Sequence, residues 1–176
     1  MAAPAMEKHT ISCLVENHFG VLARVSGLIS ARAFNIDSLA VSATEDPTVS
    51  RMTIVVDADA LKLEQVKRQL NRLIDVIEVE ELKDGEFIDR ELLLVRVAVD
   101  GSKRGELLQI AETFGAKISD AAPESVVIEA MGDTRRLDGL IDTLRPYGIK
   151  QLVRTGRIAM PRRSANDLAS SVERIA

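Results

Sequence analysis

A single cysteine, no tryptophan and only 3% aromatic residues set the first limits on this 176-residue chain. One cysteine, Cys13, rules out an internal disulfide and any multi-cysteine metal cluster, and it fits a reducing compartment. With so few rings, the cores must be filled by Val, Leu, Ile and Ala. A base-stacking RNA surface needs aromatics on its central strands, and here the strands carry Cys13, Met52 and Ile54 instead. The only histidines are His9 and His18. Neither has a suitably spaced nucleophile or carboxylate pair nearby, which argues against acid–base or covalent catalysis. No apolar run approaches the roughly 20 residues of a membrane span, and Met1 to Glu7 is too short and too polar for a signal peptide. A net charge of −4 has the wrong sign for nucleic acid. These absences predict a cytoplasmic chain with no nucleic-acid or membrane partner, no metal site and no catalytic residues.

What is present is a repeated pattern. Hydrophobic residues make up 46% of the chain and charged ones 28%, enough to build cores and keep a solvated surface. From Thr10 to Glu16 apolar and polar residues alternate, placing Ile11, Cys13 and Val15 on one face of a half-buried strand. Cys13 there reads as a small buried hydrophobe. From Gly20 to Arg32 the period lengthens, and Val21, Leu22, Val25, Leu28 and Ile29 form one helical stripe. Ile36 to Ala43 and Arg51 to Asp57 read as strands joined by the turn Glu45-Asp46-Pro47-Thr48. Leu63, Val66, Leu70 and Leu73 mark a second helix, and Val76 to Glu80 a closing strand.

After the charged stretch Lys83-Asp84-Gly85-Glu86 the same order returns. Strands are expected over Glu91–Val99, Ala116–Asp120, Val126–Met131 and Ile149–Thr155. Helices are expected from the stripes Leu107, Ile110, Ala111, Phe114 and Leu137, Leu140, Ile141, Leu144. The prediction is an α+β protein of two tandem ferredoxin-like βαββαβ domains, at residues 8–82 and 90–160. A linker spans 83–89 and a polar tail spans 161–176, with a short apolar stripe at Leu168, Val172 and Ile175. Each sheet should leave one face uncovered by its helices. In the first unit that face carries Leu14, Ala40, Thr53 and Val55; in the second it carries either Leu92 and Leu94, or Leu93, Val95, Val97 and Val99. A symmetric homodimer or a partner subunit is the simplest cover.

The chemistry-bearing stretch is Val15-Glu16-Asn17-His18-Phe19-Gly20-Val21-Leu22. A strand ends there, a tight Asn…Gly loop follows, and a helix begins. The free N–H groups of a helix start suit a small anion such as a carboxylate. Asn17 can both donate and accept, and Gly20 permits close backbone approach. The plainer readings are a turn residue for Asn17 and a loop glycine for Gly20. His18 reads as a solvated loop residue, with lining the site or sensing pH as the alternative. Asn35 reads as a turn residue after the helix. Arg51 and Arg96 are expected to pair with acidic groups. Arg154, Arg157, Arg162 and Arg163 form a small basic cluster, either a solvated face or a dock for an acidic partner.

Three segments carry a family resemblance: Asn17-x-x-Gly20-Val21-Leu22-x-Arg24-Val25, Phe34-Asn35-Ile36-Asp37-Ser38-Leu39-x-Val41 and Ser50-Arg51-Met52-Thr53-Ile54. Together they strongly resemble the small regulatory subunit of acetolactate synthase (acetohydroxyacid synthase). Asp89-Arg90-Glu91-Leu92 and Pro123-Glu124-Ser125 resemble that family's second domain. The resemblance implies that the first domain is an ACT domain whose dimer interface binds a branched-chain amino acid, valine first. The backbone at Gly20, Val21 and Leu22 would hold the effector carboxylate. Asn17 and Asn35, from opposite chains, would hold its polar groups, and Ile36 would line the apolar pocket. The second domain would contact the large catalytic subunit, which carries the thiamine diphosphate, magnesium and FAD. Phe19 stands where the family usually has a small residue, and Ala33 where it usually has glycine. The other reading is a free-standing amino-acid sensor of the same fold, acting on a different enzyme or on transcription.

Overall fold

The computed structural model describes residues 7–32, 34–99 and 102–162. Ser38–Ala40 and Asp89–Ile158 form one compact unit and the rest of the described chain forms the other. Ala33, Arg163 and the apolar stripe at Leu168, Val172 and Ile175 lie outside the described residues.

The first unit comprises β1 (Glu7–Glu16), α1 (Val21–Ser30), β2 (Ile36–Ala43), β3 (Val49–Ala58), α2 (Ala60–Leu70) and β4 (Val76–Leu82). Its sheet has the order β2-β3-β1-β4. The central strand β1 runs antiparallel to β3, with Glu7 opposite Ala58 and Glu16 opposite Val49. It also runs antiparallel to β4, with a register shift at Leu14/Val15. The alternation read from the sequence is what fixes this arrangement. Ile11, Cys13 and Val15 are fully buried, as are Ile54 and Val56 on β3, while Val25, Ile29, Val66 and Leu70 of the helices are buried to 1% exposure or less. A one-residue slip would turn every one of these strand residues to the other face.

The second unit repeats the order with β5 (Phe87–Ala98), α3 (Arg104–Thr113), β6 (Lys117–Ala122), β7 (Ser125–Gly132), α4 (Thr134–Leu144) and β8 (Ile149–Arg154). The sheet order is β6-β7-β5-β8. A short strand β9 (Ile158–Pro161) also pairs with β5, and Phe87–Ile88 of β5 and Ala159–Pro161 of β9 count with the first unit. Leu93, Val95 and Val97 pack with Ile128, Leu107, Leu137, Leu140 and Leu144 in the core. The two βαββαβ units, each an antiparallel sheet with two helices, are the expected α+β fold. Strand β5 starts at Phe87, and the turn before it is closed by a hydrogen bond from Glu86 N–H to the Lys83 carbonyl at 3.0 Å, with Gly85 at φ +85°.

Helix starts show a consistent asymmetry. The second helix of each unit is capped by an aspartate: Asp59 Oδ1 accepts from Lys62 N–H, and Asp133 Oδ1 accepts from Arg136 N–H, both at 2.8 Å. Each such cap satisfies a donor that the helix itself cannot. Helix α1 begins on Gly20 with no side-chain cap and no acidic residue in its first turn.

Several expectations are corrected. The face of the first sheet away from its helices is open only in part, since Thr53 and Val55 are 3% and 2% exposed and Thr10 and Ser12 are also buried, while Leu14 and Ala40 are half-buried. Leu82, Phe87 and Ala159 form a small apolar cluster in the same unit. In the second unit the strand alternation decides the alternative left open: Leu93, Val95, Val97 and Val99 face the core, and Leu92 and Leu94 are the exposed pair. Leu73 is not part of α2, because the helix stops at Leu70 and Asn71 caps it, with its side chain donating to the Lys67 carbonyl. Arg51 pairs with no acid among the described residues; its Nη1 donates to Ser12 Oγ at 2.7 Å across the sheet. Arg96 does meet an acid, Asp120, at 3.4 Å. Two of the four arginines of the basic cluster are committed within the chain, Arg154 to Glu91 and Asp138 and Arg157 to Asp89, while Arg162 is exposed.

Two outcomes check this packing. Leu140→Ala, at a fully buried α4 position, should cost about 2–5 kcal/mol in urea denaturation, while Leu92→Ala on the exposed face should cost less than about 1 kcal/mol. Burial pushes the Cys13 thiol up to about 11. Alkylation by iodoacetamide at pH 8 should therefore be negligible in the folded chain and should appear in step with unfolding.

Candidate functional site

The β1–α1 loop is held from two sides. On one side, Asn17 N–H donates to the Thr48 carbonyl at 2.6 Å, and Asn17 Nδ2 donates to the Pro47 carbonyl at 2.8 Å. Asn17 is thus the strut between this loop and the β2–β3 turn, and it does not cap the helix. The turn it grips is itself stiff. Asp46 Oδ1 accepts from both the backbone N–H and the hydroxyl of Thr48, at 2.8 and 2.7 Å. Those two bonds hold the Asp46 carboxyl below its usual range.

On the other side stands Asp75, in the turn between α2 and β4, with only 5% of its surface exposed. Its backbone carbonyl accepts from Glu16 N–H at 2.9 Å. Its carboxylate meets His18 Nε2 through Oδ1 and Arg24 Nη1 through Oδ2, each at 3.1 Å. His18 Nε2 also lies 3.1 Å from Glu16 Oε2. A buried carboxylate needs such partners to remain charged. His18 is therefore an anchored residue of the loop and not a merely solvated one. Glu16, His18 and Asp75 bring their ligand atoms within 4.8 Å of one another. The spacing from His18 Nε2 to each carboxylate is that of direct hydrogen bonds, so the set is explained as a polar clamp.

Between these two anchors the backbone turns through Gly20 at φ +88°, a conformation that side chains rarely adopt, and α1 begins at once. Val21 is buried in the core at 2% exposure, and its backbone N–H points to the His18 carbonyl at 3.5 Å. Leu22, expected in the buried stripe, is 45% exposed, and Phe19 is fully exposed beside it. The uncapped helix start lies among them. Glu16, Asn17, His18, Pro47, Thr48 and Ile77 line an open pocket on the Asn17 side of the loop. Gly20, Val21 and Leu22 lie outside that lining.

Asn35 and Ile36 are elsewhere. The β2–β3 turn closes beside Asn17, with Thr44 N–H bonded to the Val49 carbonyl at 2.9 Å. Strand β2 then runs away from it, back to Ile36. At roughly 3.3 Å per residue, its eight residues carry Ile36 about 23 Å from the turn. The Lys8–Asp37 ion pair at 2.8 Å fixes that far end against the start of β1. Within one chain, Asn17 and Asn35 therefore stand at opposite ends of the sheet. Asn35 is exposed and Ile36 half-buried.

Sequence reasoning missed Asp75 and the part played by Arg24. Asp75 lies in an ordinary polar turn, and its burial is created only when the loop folds over it. Gly20 was legible, and its backbone angle makes a direct prediction. Gly20→Ala should destabilise the chain by about 1–2 kcal/mol in thermal or urea denaturation, because alanine is strained at this φ.

Comparison with known proteins places the fold in a family. Residues 11–78 match the family model described as the AHAS small subunit-like ACT domain, and residues 90–163 match that for the small subunit of acetolactate synthase. A protein of Archaeoglobus fulgidus named as a probable acetolactate synthase small subunit is 50% identical over 155 residues, covering 88% of this chain and 97% of its own. The acetolactate synthase small subunit of Mycolicibacterium smegmatis is 46% identical over 154 residues, covering 88% and 91%. The crystal structure of the acetolactate synthase small subunit from Thermotoga maritima superposes with a TM-score of 0.82 at 32% identity, covering 90% of this chain and 99% of its own. Among the described residues, no helix is long and apolar enough to cross a membrane. The chain belongs to the acetolactate synthase small-subunit family, with an ACT domain followed by that family's second domain.

Proposed function

We propose that this chain activates a large catalytic subunit of acetolactate synthase and makes it sensitive to feedback inhibition by a branched-chain amino acid, valine first. One observation supports this above the others: the uncapped start of α1 at Gly20, with no acidic residue in its first turn, in a loop held rigid from two sides. A helix start of this kind attracts a carboxylate through its free N–H groups and its positive dipole end.

On this reading the backbone at Gly20, Val21 and Leu22 receives the effector carboxylate, which takes the Val21 N–H from its long 3.5 Å contact with the His18 carbonyl. Asn17 spends its Nδ2 on Pro47, which leaves Oδ1 as an acceptor suited to the effector's ammonium group. Asn35 and Ile36 supply the remaining polar contact and the apolar wall. Because they stand at the other end of the sheet, a single small effector meets them only from a second chain. The effector site then belongs to a homodimer. Binding between two chains favours one arrangement of that dimer, and regulation needs a coupling of about 1–3 kcal/mol between this arrangement and the catalytic subunit. The second domain, residues 90–160 on this reading, carries contacts to the catalytic subunit. Thiamine diphosphate, magnesium and FAD serve chemistry in that subunit, and this chain's part is binding and coupling, in the cytoplasm.

Calorimetric titration with valine, leucine and isoleucine, run beside assays of the reconstituted catalytic subunit, tests the reading. The wild-type chain should bind valine and sediment as a dimer that valine tightens. Asn17→Ala should weaken valine binding at least tenfold, about 1.4 kcal/mol, and abolish inhibition while the activation persists. Wild-type sensitivity in that variant would overturn the assignment of the site.

A further inference from the structure

The guanidinium of Arg24 has one half committed and the other turned toward Gly20. Its Nη1 lies 3.1 Å from Asp75 Oδ2, on a carboxylate side chain only 6% exposed. Its Nη2 lies 3.8 Å from the position that a Cβ on Gly20 would occupy. Asp75 is the one ion-pair partner of Arg24 among the described residues. The Arg24 side chain is 49% exposed, so a ligand at the loop can reach it.

A guanidinium is a planar fork with five N–H donors, so one edge can rest on a fixed carboxylate while another edge stays available. The charged groups facing Arg24 bear on what that second edge meets. Asp75 Oδ1 is engaged by His18 Nε2, which also bonds Glu16. Asp75 Oδ2 takes Nη1 of Arg24 while Oδ1 is engaged by His18, so the Nη2 edge of Arg24 is the one left turned toward Gly20.

We infer that Arg24 recognises the carboxylate of the bound amino acid through Nη2, and that Asp75 is the positioning residue that aims it. This rests on the effector site proposed above and adds a side-chain donor to the backbone donors of Gly20, Val21 and Leu22. It also gives the buried Asp75 a purpose at the site: it converts a long flexible side chain into a fixed donor. Lysine could not do the same, since a single ammonium cannot rest on Asp75 and reach across Gly20 with a second, separately directed edge.

The test compares L-valine with L-valinamide, which keeps the side chain and ammonium group but lacks the carboxylate. Full-length wild type, Arg24→Gln, Arg24→Lys and Asp75→Asn are titrated calorimetrically, with circular dichroism confirming that each variant is folded. Arg24→Gln should raise the Kd for valine about tenfold and leave that for valinamide within about twofold. Arg24→Lys should fall between wild type and Arg24→Gln, and Asp75→Asn should lose part of the same discrimination. Equal weakening of both ligands in Arg24→Gln would mean a structural role and overturn the inference. So would unchanged discrimination in Arg24→Gln while Asn17→Ala loses binding, which leaves the effector site standing. Absence of valine binding in the wild type would remove the effector site, and this inference with it.

Discussion

The turn at Gly20 is the constraint on which the site depends. A left-handed residue at the end of β1 lets the chain reverse into α1 without a capping side chain. The other loops of the same unit take different solutions, such as the Asp59 cap of α2 and the Asp46 turn before β3. At Gly20 a tight reversal and an open helix start coincide. An uncapped start is a liability in a purely structural element, because buried or partly buried N–H groups without partners cost stability. Here it is kept, and the neighbouring residues are arranged to hold it still. Asn17 ties the loop to the β2–β3 turn, and Asp75 ties it to the α2–β4 turn through Glu16, His18 and Arg24.

Strand length supplies the second constraint. A β-strand is a rigid ruler, and β2 places Asn35 and Ile36 at the end of the sheet remote from Asn17. Two groups separated in this way serve one small ligand only across a symmetry axis. A two-fold axis repeats each contact twice, so it yields two equivalent sites from one interface. On the proposed reading, a dimer is therefore part of the site.

The fold was legible because it depends on periodicity, and periodicity survives in a single sequence. The alternation of Ile11, Cys13 and Val15, and the stripe of Leu137, Leu140, Ile141 and Leu144, appear in the structure as a buried strand face and a buried helix face. Features that depend on a contact between distant segments were not legible. Asp75 and His18 are far apart in sequence, and nothing local announces that one is buried beneath the other. Thr53 and Val55 looked like an open face because alternation reports which residues share a side, not what lies over that side. Leu22 fitted the helical stripe by spacing, yet it sits at the helix start, where the sheet no longer covers it. Gly20 and Asn17 were recognisable as residue types, but the strut from Asn17 to Pro47 was not.

The arrangement bears on how a small effector could produce a large response. Asn17, Gly20 and Arg24 belong to elements that the first unit holds firmly, so little of the effector's binding energy goes into ordering them. On the proposed reading, the groups that must still be brought together are those of the second chain, Asn35 and Ile36. The binding energy is then expressed mainly as a preference for one relation between two chains. That is the property a regulatory dimer needs, because an effector that bound both arrangements equally well would shift nothing, however tightly it bound. A rigid loop in each chain and a site divided between chains are thus complementary parts of one device. The first gives the effector a preformed place to dock, and the second makes docking a statement about quaternary structure.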